Sequence, residues 1–403
     1  MPGESPLSMM QPRRQRPRRY PDAAAPPRRR RLWPVVLPIC VVIVLAAVWC
    51  ALWYYAAGIA DRTMAGWMAR EAAAGRVYTC GSQTISGFPF RIEAGCAAAG
   101  ATISSTQPPF AVSAKDVSVA AQVYRPTTLV GEISSPVTVD EPGQPPRFVA
   151  NWSRARGSVS GLPPEPDSIS VTLDHPHVDQ IAAGNGTTIF AADHAEFNGR
   201  IVGGSAANNP VIDALLTFAA ATTPTLHPLL ADPALGEVDV VFRGFKDLTP
   251  KPWPQRFREM QASGGNIEIT RLRLERSDAT IVGAGTLTLN ANGKLNGLIR
   301  VAIAGLENIV PKLGIDRLIG RGLDKLNGGS GQSQQGLNAL DRLMPGLGGV
   351  VRGSATASLI DSLNKMGQPT EIDKKPAIVL PLNFSDGFVS LGMVPLGEVP
   401  ALF

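Results

Sequence analysis

The chain contains few histidines and cysteines, two residue types that enzymes often use for catalysis. Its 403 residues include four histidines and four cysteines. The Gly-x-Ser-x-Gly pattern of a nucleophile elbow is absent, and the glycine-rich stretches lack the sequence context that binds phosphates or dinucleotides. The sequence therefore predicts a protein that is not an enzyme and that carries no cofactor.

Metal-ligand patterns are also scarce. His175, His177 and Asp179 alternate along the chain, so on a strand they would share one face, and His194 lies nearby in sequence. Pro176 interrupts this pattern, and two histidines two residues apart without further spaced ligands do not make a metal site. We expect a solvated strand or loop end here, with no metal bound.

The net positive charge of the chain comes from its N-terminal end. Residues 1–31 contain nine arginines and two acidic residues, a net charge of +7, whereas the whole chain has a net charge of +5. The remaining residues therefore carry a net charge of −2, so the basic isoelectric point of the chain is no evidence that the folded part binds nucleic acid, and we expect no nucleic-acid partner. The 1–31 segment, rich in Arg, Pro and Ala, is predicted to be a disordered basic cytoplasmic tail.

A single long hydrophobic run dominates the first part of the sequence. Leu32 to Ala60 has no charged residue and is long enough to cross a bilayer as a helix. Trp33 and Trp53 lie where such a helix would meet the two interfaces, and the preceding arginines predict a cytoplasmic N-terminus. The alternative is a cleaved secretory signal ending at Ala60, but its apolar core would be unusually long.

The four cysteines divide into two pairs. Cys40 and Cys50 lie inside the hydrophobic run, so the exported part of the chain contains only Cys80 and Cys96. In the oxidising compartment that this topology implies, we expect a Cys80 to Cys96 disulfide. A redox-active pair is the alternative, although active dithiols are usually spaced more closely.

Beyond the hydrophobic run, glycines and prolines separate short segments of alternating apolar residues. This pattern predicts a mainly β (α+β) fold, an antiparallel β-rich body with several covering helices. The predicted hairpin turns include 87–90, Asn290 to Gly293 and Asp386-Gly387. The predicted segments are a stalk helix at 61–75, a first β-rich half at 76–206, a helical connector at 207–235, and a second β-rich half at 236–403 with a flexible linker at 327–335.

Several motifs resemble those of one bacterial family. Gly-Phe-Pro-Phe-Arg at 87–91 lies between two cysteines just after the anchor, and a C-terminal Phe-Ser-Asp-Gly-Phe segment occupies 384–388. Together with the Gly-Gly-Asn-Ile-Glu-Ile segment at 264–269, they resemble the domain of unknown function 2125 family of alphaproteobacterial envelope proteins. The resemblance implies a protein of the bacterial inner membrane, single-pass, with a periplasmic body, and it assigns no functional residues.

Two functions are consistent with these features. The first is lipid handling or envelope maintenance, in which an apolar face of the sheet binds a lipid acyl chain; the layout is also similar to that of AsmA-like envelope proteins. The second is a periplasmic scaffold that binds envelope protein partners and has no ligand cavity. Helices that cover the sheet would favour the second function.

Overall fold

The computed structural model describes residues 33–403, except 105, 107, 163, 183–184, 226–229, 311–354 and 393. The predicted tail at 1–31 and the predicted linker at 327–335 lie outside these residues. The chain divides into two compact units, residues 1–52 and residues 53–403.

The first element is a long helix, α1, which runs from Trp33 to Ala73. It is long and apolar enough to cross a membrane. The helix ends just before Gly75, whose positive φ of 79° turns the chain into the first strand. The helices predicted at 32–60 and 61–75 are therefore one continuous helix.

The described part of the chain contains twenty strands and three further helices. Alternating β-branched and small residues favour extended backbone, which explains the high strand content. The strands are β1 (Arg76–Ser86), β2 (Arg91–Ile103), β3 (Phe110–Gln122), β4 (Arg125–Ile133), β5 (Val137–Asp140), β6 (Phe148–Asn151), β7 (Arg154–Ser160), β8 (Ser168–Asp174), β9 (His177–Ala182), β10 (Asn185–Ala191), β11 (His194–Ser205), β12 (Asn208–Ala221), β13 (Ala234–Phe242), β14 (Asn266–Glu275), β15 (Thr280–Leu289), β16 (Leu295–Ala304), β17 (Gln368–Ile372), β18 (Lys375–Ser385), β19 (Phe388–Leu391) and β20 (Val394–Glu398). The helices are α2 (Trp253–Ala262), α3 (Leu306–Ile309) and α4 (Ala355–Met366).

All of these strands belong to one antiparallel sheet. The main row of pairings is β1, β2, β3, β4, β7, β8, β11, β12, β13, β14, β15, β16, β18, β19 and β20. A branch of β5, β6, β9 and β10 leaves the row at β3. The prediction of a mainly antiparallel β fold with covering helices is confirmed.

The tight turns follow the local sequence. Gly293, in the turn between β15 and β16, has a φ of 73°, and Asp386 and Gly387 between β18 and β19 also have positive φ. Asn, Asp and Gly tolerate this conformation better than other residues, which is why these sequences predict hairpins correctly. The pairing of β14 with β15 contains a register shift between Ile269 and Leu272.

The helical connector predicted at 207–235 is wrong. Residues 208–221 form strand β12, which pairs with β11 on one side and β13 on the other. The apolar residues of this segment follow a period of two, with Ile212, Ala214 and Leu216 on one face, and the prediction misread this alternation as a helical repeat. Pro210 is tolerated because it lies close to the register irregularity near Gly203.

Candidate functional site

The pairing register places apolar residues on the same face of the sheet through most of the main row. Residues paired directly across an antiparallel ladder lie on the same face, so this face can be followed from strand to strand. We call it the apolar face. From β2 to β18 it includes Cys96, Val117 and Ile133, then Val159, Ile169, Val171, Phe197, Leu216, Val238, Leu272, Val301 and Leu380.

In the middle of the main row, the opposite face carries charged side chains. Cross-strand ion pairs link Arg156 to Glu132 at 2.6 Å and Arg200 to Asp213 at 2.6 Å. The arginine of each pair is exposed, so this part of the opposite face remains in contact with water. The sheet thus separates an apolar surface from a solvated one.

Helices and the last strands cover the apolar face in its C-terminal part. Val301 and Leu380 are buried in a core cluster that also includes Leu306 of α3 and Leu363 of α4. A second cluster places Met260 of α2 against the sheet near the end of β15. This part of the face is a closed hydrophobic core.

The middle of the apolar face is more open. The side chains of Ile133, Ile169, Phe197 and Leu216, on β4, β8, β11 and β12, are each 37 to 43% exposed. In the part of the chain that the structure describes, the core clusters that include helical residues contain none of these four side chains. We call these four residues the open stretch of the apolar face.

A second apolar feature lies at the N-terminal end of the same face. The second half of α1 contributes Met64, Trp67 and Met68 to a cleft of about 420 Å³ above strands β1 to β5. The Trp67 ring lies 4.7 Å from the ring of Tyr78 on β1. The cleft lining also includes Val117 and Ile133 of the apolar face, and Ile133 belongs to the open stretch as well.

The predicted disulfide joins Cys80 of β1 to Cys96 of β2 and borders this cleft. These strands are also paired by backbone hydrogen bonds, so the disulfide adds a covalent link within the sheet. A disulfide indicates an oxidising compartment, in agreement with the sequence prediction. Cys40 and Cys50 are free.

His177 and Asp179 lie on strand β9, whereas His175 precedes that strand and does not share its face. His175 lies in the turn between β8 and β9 with a positive φ of 49°, because Pro176 prevents a continuous strand. The Asp179 carboxylate accepts a hydrogen bond from Thr188, and His194 Nδ1 lies 2.9 Å from Asp174. Among the described residues, no three His, Cys, Asp or Glu side chains are grouped as metal ligands.

The carboxyl group of Asp239, on the polar face, has a raised pKa. Asp239 of β13 lies close to Asp213 of β12, and together with Arg200 they line a shallow surface depression. Burial raises the pKa of Asp239, and the neighbouring Asp213 raises it further. We find no nucleophile and base pair at this position, and we assign no chemistry to it.

The sequence alone did not reveal the cleft or the extent of the apolar face. Alternation within each strand is visible in the sequence, but the order in which strands pair is not. Met64, Trp67 and Met68 were the sequence signal for the cleft. They recur at helical spacing, which places them on one side of α1.

These features define a class of protein: a large antiparallel sheet with one apolar face, preceded by a single helix that is compatible with a membrane anchor. The chain belongs to the family described as uncharacterized protein conserved in bacteria (DUF2125), whose sequence profile matches residues 53–400. The predicted family is thereby confirmed. No curated protein and no solved structure matches this chain.

Proposed function

We propose that this protein is a non-enzymatic, membrane-anchored lipid-handling protein that holds acyl chains on the apolar face of its sheet. The observation that carries the proposal is the open stretch, Ile133, Ile169, Phe197 and Leu216, which lies on a face that is a closed core elsewhere. Apolar faces are normally buried within a domain, and a large exposed apolar surface indicates a binding surface.

The dimensions of the open stretch suit an extended hydrocarbon chain. Adjacent strands are spaced about 4.8 Å apart, so the five paired strands β4, β7, β8, β11 and β12 extend over about 20 Å. Each methylene removed from water contributes about 0.8 kcal/mol, so a long chain lying across these strands would bind favourably. A small polar ligand would gain nothing from this surface.

The cleft beside the stalk supports an acyl ligand independently. It is lined by methionines, small residues and valines, and the part of α1 that contributes to it follows the uncharged run Leu32 to Ala60. Methionine side chains adapt to irregular apolar ligands. We infer that an acyl chain leaving the bilayer enters at this cleft and continues along the open stretch.

We further propose that the body is periplasmic and that the anchor lies in the bacterial inner membrane. The arginines at 1–31 support a cytoplasmic N-terminus, and the Cys80–Cys96 disulfide supports an oxidising compartment for the body. A reporter that is active only outside the cytoplasm should give signal when fused after Gly75 and none when fused before Arg28. The reverse pattern would overturn the orientation.

The alternative is a scaffold whose open stretch binds an apolar surface of an envelope protein partner. The same exposed side chains support it, because a partner helix could cover them as well as a lipid could. The two functions differ in what is bound to the purified protein.

Native mass spectrometry of the full-length protein, purified in a mild detergent, distinguishes them. We expect co-purified lipid on the wild type and loss of that lipid in Ile169→Asp, which places a charge on the open stretch. Ser170→Asp is the matched control, since it adds the same charge to the next residue of β8 on the polar face. A wild type without lipid, or equal lipid on both variants, would contradict lipid handling.

A further inference from the structure

Two neighbouring hairpin ends form an exposed aromatic patch near the start of the body. The turn between β1 and β2 contains Phe88 and Phe90, and the turn between β3 and β4 contains Val123 and Tyr124. The Val123 amide donates a hydrogen bond to the Phe90 carbonyl at 3.0 Å, which holds the two turns side by side. We call these four residues the hairpin-end patch.

The patch is well exposed. Phe90 is 65% exposed and Tyr124 is 70% exposed, and Phe88 and Val123 are also exposed. Single exposed apolar residues are common, but these four lie together on two turns that a backbone hydrogen bond joins. Such a surface indicates a contact with something apolar.

The patch is fixed to helix α1 at Trp53. The Trp53 indole nitrogen donates a hydrogen bond to the Arg91 carbonyl at 3.0 Å, and its ring meets the Phe88 ring edge to face at 5.5 Å. Tyr54 and Tyr55, the next residues of α1, remain exposed. The hairpin-end patch therefore lies at the level of Trp53 along the helix.

The sequence places Trp53 at a membrane interface. An α-helix rises about 1.5 Å per residue, so the twenty steps from Trp33 to Trp53 correspond to about 30 Å, the thickness of the hydrocarbon core. Tryptophan and tyrosine are enriched where that core meets the headgroups. A patch held at this level would lie among the lipid headgroups.

We propose that the hairpin-end patch inserts into the bilayer interface and docks the end of the sheet onto the membrane. Arg91 and Arg125 flank the patch and are exposed, which suits contact with anionic headgroups. The inference rests on the membrane anchoring in the proposed function but not on acyl-chain binding. It would hold the strands of the cleft next to the bilayer, where lipids are available.

A fluorescent label on the full-length protein in anionic lipid nanodiscs tests this inference. An environment-sensitive dye is attached to Tyr124→Cys in a chain that also carries Cys40→Ala and Cys50→Ala, with the native disulfide intact. Gln144→Cys is the matched control, because it lies in the exposed turn after β5, and β5 pairs with β3 at the end remote from Tyr124. The thirteen residues of β3 separate the two sites by about 40 Å.

We expect the dye at position 124 to show blue-shifted emission and quenching by lipids that carry a nitroxide near the headgroup. The dye at position 144 should show neither effect, and adding Phe90→Asp should abolish both at position 124. If the protein resists carbonate extraction but the dye shows the same water-like emission at both positions, the anchoring stands and the docking is overturned. Release of the protein by carbonate would instead overturn the anchoring and, with it, this inference.

Discussion

Phe197 and Leu216 face each other directly across β11 and β12, and each is more than one third exposed. Val301 and Leu380 are paired in the same way across β16 and β18 on the same face of the sheet, and both are buried. One continuous apolar face therefore contains an open part and a closed part. The closed part stabilises the fold, and we propose that the open part serves function.

Truncating one leucine in each part should therefore have different effects on stability. We expect Leu380→Ala to lower the free energy of unfolding by about 2 to 5 kcal/mol, because it leaves a cavity in a closed core. Leu216→Ala should cost about 1 kcal/mol or less, since exposed positions contribute little. Urea unfolding followed by circular dichroism measures both values. Equal losses would show that the open stretch is covered in solution.

The Cys80 to Cys96 disulfide should be present in protein recovered from the envelope. Replacing either cysteine with serine should lower the free energy of unfolding by about 2 to 4 kcal/mol, since the bond closes a loop of about 15 residues. Intact mass after alkylation, with and without reduction, reports the oxidation state. Cys40→Ala is the control and should change neither the disulfide nor the stability of the body. Alkylation of both thiols without reduction would contradict the prediction.

The Asp239 carboxyl should destabilise the fold at neutral pH. Its pKa is raised by burial and by Asp213, so its charged form is less favourable in the folded chain than in the unfolded chain. This penalty is absent below the unfolded pKa of about 3.9 and grows as the pH rises through the folded pKa. Asp239→Asn should therefore raise the melting temperature at pH 7, and the gain should shrink towards pH 4.

The variant Glu237→Gln checks the cause of the rise in melting temperature that we expect for Asp239→Asn. Glu237→Gln changes a carboxylate on the same strand and the same face, but Glu237 forms an ion pair with Arg271 at 2.7 Å. It should give no increase in melting temperature at pH 7. A similar increase in both variants would indicate a general charge effect rather than the burial of Asp239 and its proximity to Asp213.

The features that sequence patterns predicted correctly are local ones. The long helix, the hairpins at Gly293 and Gly387, and the disulfide each follow from residues that lie close together in sequence. The error at 207–235 arose because apolar residues such as Val211 and Leu215 also fit a helical repeat. Residues 208–221 form strand β12 because the neighbouring strands β11 and β13 provide its backbone hydrogen bonds.

The candidate site was less predictable because it depends on strand order. Each strand shows alternation, but only the pairing of β4 with β7 and of β8 with β11 joins Ile133, Ile169 and Phe197 into one surface. Which part of that surface is covered depends on where α2, α3 and α4 pack. No local pattern in the sequence contains that information.

Photo-crosslinking in living cells tests the central claim most directly. A photoreactive phenylalanine analogue at position 197 lies on the open stretch, whereas the same analogue at position 198 replaces Asn198 on the polar face of the same strand. After irradiation, mass spectrometry of the full-length protein should detect phospholipid or other acyl-chain adducts at position 197 and none at position 198. Protein adducts at 197 without lipid, or equal lipid adducts at both positions, would contradict the account.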